Sequence, residues 1–248
     1  MAKLAGNKAV VTGGARGIGR AIALLFAREG ADIAIFDRDA KGAEAAAAEI
    51  RSLGRSALVV LVDVGAENEV ADGFRKVARE LGEADILVNC AGLDTNSRVV
   101  DMPTEMWDEM IRVHLRGTFL CTRAALAGML RRRRGRIVNI SSQLAHKGAA
   151  EMAHYAAAKA AIIGFTRSLA YEVAEHNVTV NAIAPGPVDT ELWRKIPEHW
   201  RKQKLAEIPL HRPATVEEIA PTALLLASAD GGYYLGATLN PNGGDVMV

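Results

Sequence analysis

The chain has 248 residues, 50% of them hydrophobic and 24% charged, which suits one large buried core and excludes a disordered chain. Its formal net charge of +1 gives no whole-molecule reason to expect nucleic-acid or membrane-surface binding. Cys90 and Cys121 lack metal-ligand spacing and no stretch nears the roughly 18–20 apolar residues of a membrane span, so a soluble, reduced, cytoplasmic setting is expected.

The first apolar run, 9–12, leads directly into Thr12-Gly-Gly-Ala-Arg-Gly-Ile-Gly19 and a helical pattern over 18–29. Glycines after a strand let the backbone turn tightly and approach a diphosphate, and a helix N-terminus offers free N–H groups. This predicts a nucleotide cradle from Gly13, Arg16, Gly17, Ile18 and Gly19. The second run, 31–36, is followed by Asp37 about twenty residues after the turn, where a carboxylate can accept both adenosine ribose hydroxyls. Asp37 would repel a 2′-phosphate and favours NAD. Arg16 and Arg38 could pair with that phosphate and keep NADP open.

Helical patterns over 40–52 and 67–81 flank a third run, 57–62, which ends in Asp63-Val64. The fourth run, 85–89, ends in Asn89-Cys-Ala-Gly92. A long helical stretch follows at 104–130, containing Ile111-Arg-Val-His-Leu-Arg-Gly-Thr118 and closing on four arginines, 131–134, with Arg136 beyond. Cations at a helix C-terminus oppose its dipole, so a solvated end is the plain reading, with docking of an acidic partner as the alternative. The fifth run, 135–140, precedes Ser142.

A helix over 152–175 carries Tyr155 and Lys159, four residues apart and so on one face. A phenol titrates near ~10. A cation at ~4 Å in an effective dielectric of ~20 is worth about 4 kcal/mol, roughly three pKa units of depression. The spacing therefore predicts a phenol tuned for acid–base work. After a sixth run, 178–183, the segment 185–213 holds five prolines and two tryptophans and reads as a lid at about 188–213. A helix over 215–228 and a seventh run, 238–241, complete the chain. Strand–helix alternation with nearly all-apolar strands predicts one α/β domain, 1–248, with a doubly wound, Rossmann-like, seven-stranded parallel sheet.

In this order these motifs resemble the short-chain dehydrogenase/reductase family across essentially the whole chain, with an overall look closest to its 3-oxoacyl reductase branch. The resemblance rests on the glycine turn, Asp63-Val64, Asn89-Cys-Ala-Gly92, Ser142, Tyr155-x-x-x-Lys159, Pro185-Gly-Pro-Val-Asp-Thr190 and Asn242-Gly-Gly244. It implies that Tyr155 moves a proton to or from the substrate oxygen, that Ser142 hydrogen-bonds that oxygen, and that Lys159 holds the nicotinamide ribose. It further implies cofactor contacts from Asp63, Val64, Asn89, Ala91, Gly92, Pro185, Gly186, Val188 and Thr190. Substrate contacts are expected from Gln143, Met152, Leu192 and Trp193 beside Ser142 and Tyr155, and Leu93, Asp94, Ala145, His146 and Glu151 are also expected to face substrate.

Two positions depart from the family pattern. Cys90 replaces an asparagine, and His114 stands where the family carries a catalytic asparagine that acts through its backbone carbonyl. His114 is expected to be compatible with activity, either packing between helices or altering the proton relay. The implied reaction is hydride transfer between a nicotinamide and a secondary alcohol or ketone, without a metal. A 3-oxoacyl thioester is the leading substrate; a sugar, polyol or other small secondary alcohol oxidised with NAD is the alternative. A cofactor-binding sensor or scaffold is the non-enzymatic reading, against which the intact Ser142–Tyr155–Lys159 set argues. The family also implies a homotetramer through helices 104–130 and 152–175 and through the C-terminal strand.

Overall fold

The computed structural model describes residues 2–248. Seven strands form a single sheet: β1 (Lys8–Thr12), β2 (Asp32–Asp37), β3 (Ala57–Leu61), β4 (Ile86–Asn89), β5 (Gly135–Ile140), β6 (Val178–Ile183) and β7 (Thr238–Leu239). Their spatial order is β3-β2-β1-β4-β5-β6-β7 and every pairing is parallel. The interior strands are buried on both faces, which explains why they read as continuous apolar runs without alternation. The sheet and the predicted single α/β architecture agree. β7 stops at Leu239, short of Pro241, whose missing N–H cannot extend a ladder.

The helices are α1 (Gly17–Arg28), α2 (Ala40–Ser52), α3 (Glu67–Glu80), α4 (Thr104–Ile111), α5 (Gly117–Arg132), α6 (Leu144–Lys147), α7 (Ala153–Val173), α8 (Glu191–Lys195), α9 (Glu198–Glu207) and α10 (Val216–Ala227). Ile22 and Phe26 of α1, Ile50 of α2 and Leu226 of α10 join the core on one sheet face. Val77 of α3, Met129 of α5 and Val173 of α7 fill the other. No helix among the described residues is long and apolar enough to cross a membrane.

The structure refines two expectations. The helix expected to be continuous over 104–130 is interrupted by a π-helical turn, Arg112–Arg116. There the Thr118 hydroxyl donates to the His114 carbonyl at 2.7 Å, and Gly117 packs so closely that a Cβ would meet Val64 at 2.8 Å. Such turns concentrate at functional sites. The proline-rich segment is also more ordered than its composition suggests: Thr190 caps α8 by accepting from Trp193 N at 3.3 Å, and Pro197 stands at the N-cap of α9.

The basic run at the end of α5 is used locally. Arg131 and Arg132 pair with Glu83, Arg132 also donates to the Ala84 carbonyl, Arg133 donates to the Glu175 carbonyl, and Arg134 reaches Asn7. These contacts tie the helix end to its neighbours, and the plain capping reading is the one they support.

Candidate active site

In the order β3-β2-β1-β4-β5, successive strands are added outward in one direction from β1 to β3 and in the other from β4 on, and a crevice opens at the carboxyl ends of β1 and β4. The glycine turn lies there. Gly13 has φ +68, and a Cβ on it would sit 2.9 Å from Ala91 Cα, so only glycine lets β1 and the loop after β4 meet. The buried Thr12 hydroxyl joins them further by accepting from Cys90 N at 2.9 Å and Ala91 N at 3.0 Å. A Cβ on Gly19 would lie 2.2 Å from the Gly13 carbonyl oxygen. Helix α1 then starts at Gly17 with no side-chain cap, which leaves its first N–H groups available to an anion.

Asp37 ends β2 beside this turn. Its two oxygens accept from Ala15 N at 2.9 Å and Asp39 N at 3.0 Å, each retaining lone-pair capacity for a ribose hydroxyl. The two arginines that could hold a 2′-phosphate are drawn elsewhere: Arg16 lies 3.4 Å from Glu191, and exposed Arg38 4.0 Å from Asp63. Asp63 is gripped in fork geometry by Arg112, at 3.0 and 2.9 Å, and that guanidinium holds its carboxyl below the usual range. Sequence reasoning missed Arg112, whose place two residues before His114 was its only signal. Val64 is buried below Gly117, and buried Asn89 donates to Asn139 and Thr122. On the opposite wall, Gln143 N donates to the Pro185 carbonyl at 3.0 Å, a Cβ on Gly186 would meet Asn242, Val188 is buried, and Thr190 lies against Gly17. These residues frame one groove whose uncapped helix end, close-packed glycines and acidic ribose position suit a dinucleotide.

The catalytic candidates gather at its inner end. Ser142 is buried after β5, and its hydroxyl accepts from Leu144 N, starting α6. Tyr155 and Lys159 lie on one face of α7, with Lys159 Nζ over the phenol ring at 5.6 Å from its centroid. The ammonium donates to the Ile140 carbonyl at 2.8 Å, and Ser141 donates to the Lys159 carbonyl, also at 2.8 Å. This corrects the expected electrostatics. Burial pushes the Tyr155 phenol up to about 12, with a hydrogen bond from Ser142 opposing the rise, and burial lowers Lys159 to about 8. The lysine sits over the ring and is held by Ile140, so it does not depress the phenol as a contact at the oxygen would.

His114 is buried on the π-helical turn and stands edge-on to Tyr155, with ring centroids 5.4 Å apart and planes at 84°. Its Nε2 is 3.1 Å from Leu93 N and 2.9 Å from the Leu93 carbonyl, accepting from one or donating to the other according to tautomer. Burial, and then the Lys159 charge, lower it to about 3, so the ring is neutral. A second histidine that sequence reasoning left without a role, His154, is fully buried next to Tyr155 and bonds Thr95 Oγ1 through Nε2 at 2.8 Å. Cys90 is half-buried against the core, its thiol pushed up to about 11 by burial, in keeping with a packing substitution.

Gln143 is buried directly after Ser142, and Met152 is half-buried at the N-cap of α7. Leu192 and Trp193 lie on α8, the former exposed and the latter half-buried.

A family profile described as enoyl-(acyl carrier protein) reductase matches residues 13–245. The chain is 40% identical over 244 residues to a 3-oxoacyl-[acyl-carrier-protein] reductase of Pseudomonas aeruginosa, spanning 98% of this chain and 99% of that one. The Escherichia coli protein of the same name is 38% identical over 243 residues, with 98% of each chain covered. Among solved structures, a provisionally assigned gluconate dehydrogenase from Agrobacterium tumefaciens superposes with a TM-score of 0.96 at 32% identity, covering 99% of this chain and 98% of that one. A provisionally assigned short-chain alcohol dehydrogenase from Sinorhizobium meliloti gives 0.93 at 35%, covering 98% and 97%.

Proposed function

The chain belongs to the short-chain dehydrogenase/reductase family, and from that premise we propose that it moves hydride reversibly between NAD and a secondary alcohol or ketone carbon, with a 3-oxoacyl thioester as the reference substrate. The observation that carries the reaction is the convergence of Ser142, Tyr155 and Lys159 at the inner end of the nucleotide groove. The names of the relatives support the acyl substrate.

A nicotinamide held in this groove would supply or take up the hydride. The phenol of Tyr155, protonated throughout the neutral range, donates its proton to the substrate oxygen as a carbonyl is reduced. Ser142 hydrogen-bonds the same oxygen while negative charge builds on it. Lys159, placed beside the phenol by the Ile140 carbonyl, would hold the nicotinamide ribose. In the oxidative direction the phenol must first lose its proton, and the same group then takes up the proton of the alcohol. Gly13, Arg16, Gly17, Ile18 and Gly19 would cradle the diphosphate, Asp37 the ribose, and Asp63 and Val64 the adenine. Asn89, Ala91, Gly92, Pro185, Gly186, Val188 and Thr190 would hold the nicotinamide half. Met152, Leu192 and Trp193 would cover substrate.

The NAD preference rests on Asp37 and on the engagement of Arg16 and Arg38 with acidic neighbours. A second substrate reading, a small hydroxylated secondary alcohol, is favoured by the polar atoms beside Tyr155. A cytoplasmic homotetramer is proposed as well, with the exposed small residues Ala157, Ala160 and Gly164 of α7 permitting close helix approach.

Tyr155→Phe tests the reaction. NADH-linked turnover of ketones, acetoacetyl thioester included, is expected to fall by a factor of about 100 to 10,000 while fluorescence-detected NADH binding persists. Unchanged turnover would remove the proton-transfer assignment.

A further inference from the structure

The loop after β4 is fastened on both sides of one residue. Leu93 is held through its backbone by His114, and Thr95 through its hydroxyl by His154. Both histidines belong to the surroundings of the same phenol: His114 stacks on Tyr155, and His154 precedes it on α7. Asp94 lies between the two fastened residues, and its charge is felt by both Tyr155 and His154. Its Oδ1 is buried and has no hydrogen-bond partner in the protein. Gln143 Oε1 and His154 Nδ1, on side chains no more than 4% exposed, are unpartnered too.

We infer that this two-histidine clamp presents Asp94 as a substrate-binding group beside the reacting carbon, and that the natural substrate is a vicinal hydroxy compound whose second hydroxyl donates to Asp94. The inference rests on the hydride-transfer reading and chooses between its two substrate classes. Water can satisfy these atoms before substrate binds, but a saturated acyl chain would displace it without replacing its bonds and so lose affinity. A hydroxyl restores the bond to Asp94, because it donates its one proton to the carboxylate while its own oxygen accepts. A loop left to itself would not hold an acidic side chain against a phenol whose ionisation it opposes. Here two imidazoles, each pushed towards its neutral form by burial, supply that restraint.

The test compares NAD-linked oxidation of 2,3-butanediol (meso and racemic), 2-butanol and a 3-hydroxybutyryl thioester by the wild-type protein and by Asp94→Ala and Asp94→Asn. The diol is expected to exceed the mono-alcohol by about 100-fold in kcat/KM, the discrimination a site built around a hydroxyl achieves. Both variants should reduce that ratio by at least about tenfold, with NADH binding and melting temperature reporting that they fold. A wild-type ratio near one, a preference for the thioester, or a ratio unmoved in a folded variant would overturn the inference while leaving hydride transfer intact. Absence of turnover on every substrate would overturn the hydride-transfer reading itself, and the clamp with it.

Discussion

His114 meets Tyr155 edge to face, with ring centroids 5.4 Å apart, so an aromatic wall for the Tyr155 phenol stands where the family pattern has an asparagine. Its backbone carbonyl accepts from Thr118, and its side chain holds Leu93. Neutral burial has a consequence for stability. The folded value of about 3 lies below the ordinary 6.5, so His114 binds a proton more weakly folded than unfolded. Its contribution is complete above about 6.5 and is lost as pH falls towards 3, up to about 5 kcal/mol in all and about 3 kcal/mol by pH 4.5. Denaturant unfolding at pH 7 and 4.5 should show a smaller acid loss in His114→Asn. An equal loss in both proteins would refute the assignment.

Lys159 gives the reaction its expected pH dependence. Burial lowers it to about 8, so the ammonium is present below that value and neutralises above it, while Tyr155, at about 12, stays protonated. The kcat/KM for ketone reduction should therefore decline through a single step near pH 8. In Lys159→Arg the charge persists and the step should vanish, whatever activity remains. A flat wild-type profile from pH 6 to 9.5 would contradict this account.

The proposed preference for NAD is tested at the end of β2. Replacing Asp37 with serine removes the carboxylate that would repel a 2′-phosphate and lets Arg38 approach one. The ratio of kcat/KM for NADH over NADPH should fall by at least about tenfold, corresponding to about 1.4 kcal/mol. Ala15 N also loses its acceptor, so affinity for NADH should drop in the same variant. A wild-type enzyme that already prefers NADPH would reverse the reading of Asp37.

The sheet was legible because parallel strands buried on both faces must be apolar throughout, and the runs at 135–140 and 178–183 match β5 and β6 residue for residue. The glycine turn was legible because its conformations exclude other residues. The π-helical turn was not, since the close approach of Gly117 to Val64 that accompanies it joins residues far apart in the chain. Likewise, the Tyr155–Lys159 spacing placed both groups on one face correctly. It could not reveal that the ammonium would find the Ile140 carbonyl and leave burial to govern the phenol. His154 and Arg112 escaped notice because their partners, Thr95 and Asp63, lie 59 and 49 residues away.

The segment expected to form a lid is fastened by a residue that lies just past the final glycine pair. Asp245 has a side chain only 1% exposed and receives Lys204 of α9 at 2.6 Å and Lys147 of α6 at 2.8 Å. One carboxylate thus joins the segment over the substrate region to the short helix that follows Ser142. Asp245→Asn keeps the shape but removes the charge, so both ammonium groups lose their buried counter-ion and keep only Glu207 of α9, and the hold on α9 weakens. Helix α9 has no fully buried side chain of its own, so this ion pair is a large part of what seats it. Limited trypsin digestion should cut the variant within α8 and α9, at Arg194, Lys195, Arg201 or Lys202, several-fold faster than wild type. Melting should change far less, since neither sheet-face core includes these residues. Equal cleavage rates would show that the lid is held by its apolar contacts, with the ion pair incidental.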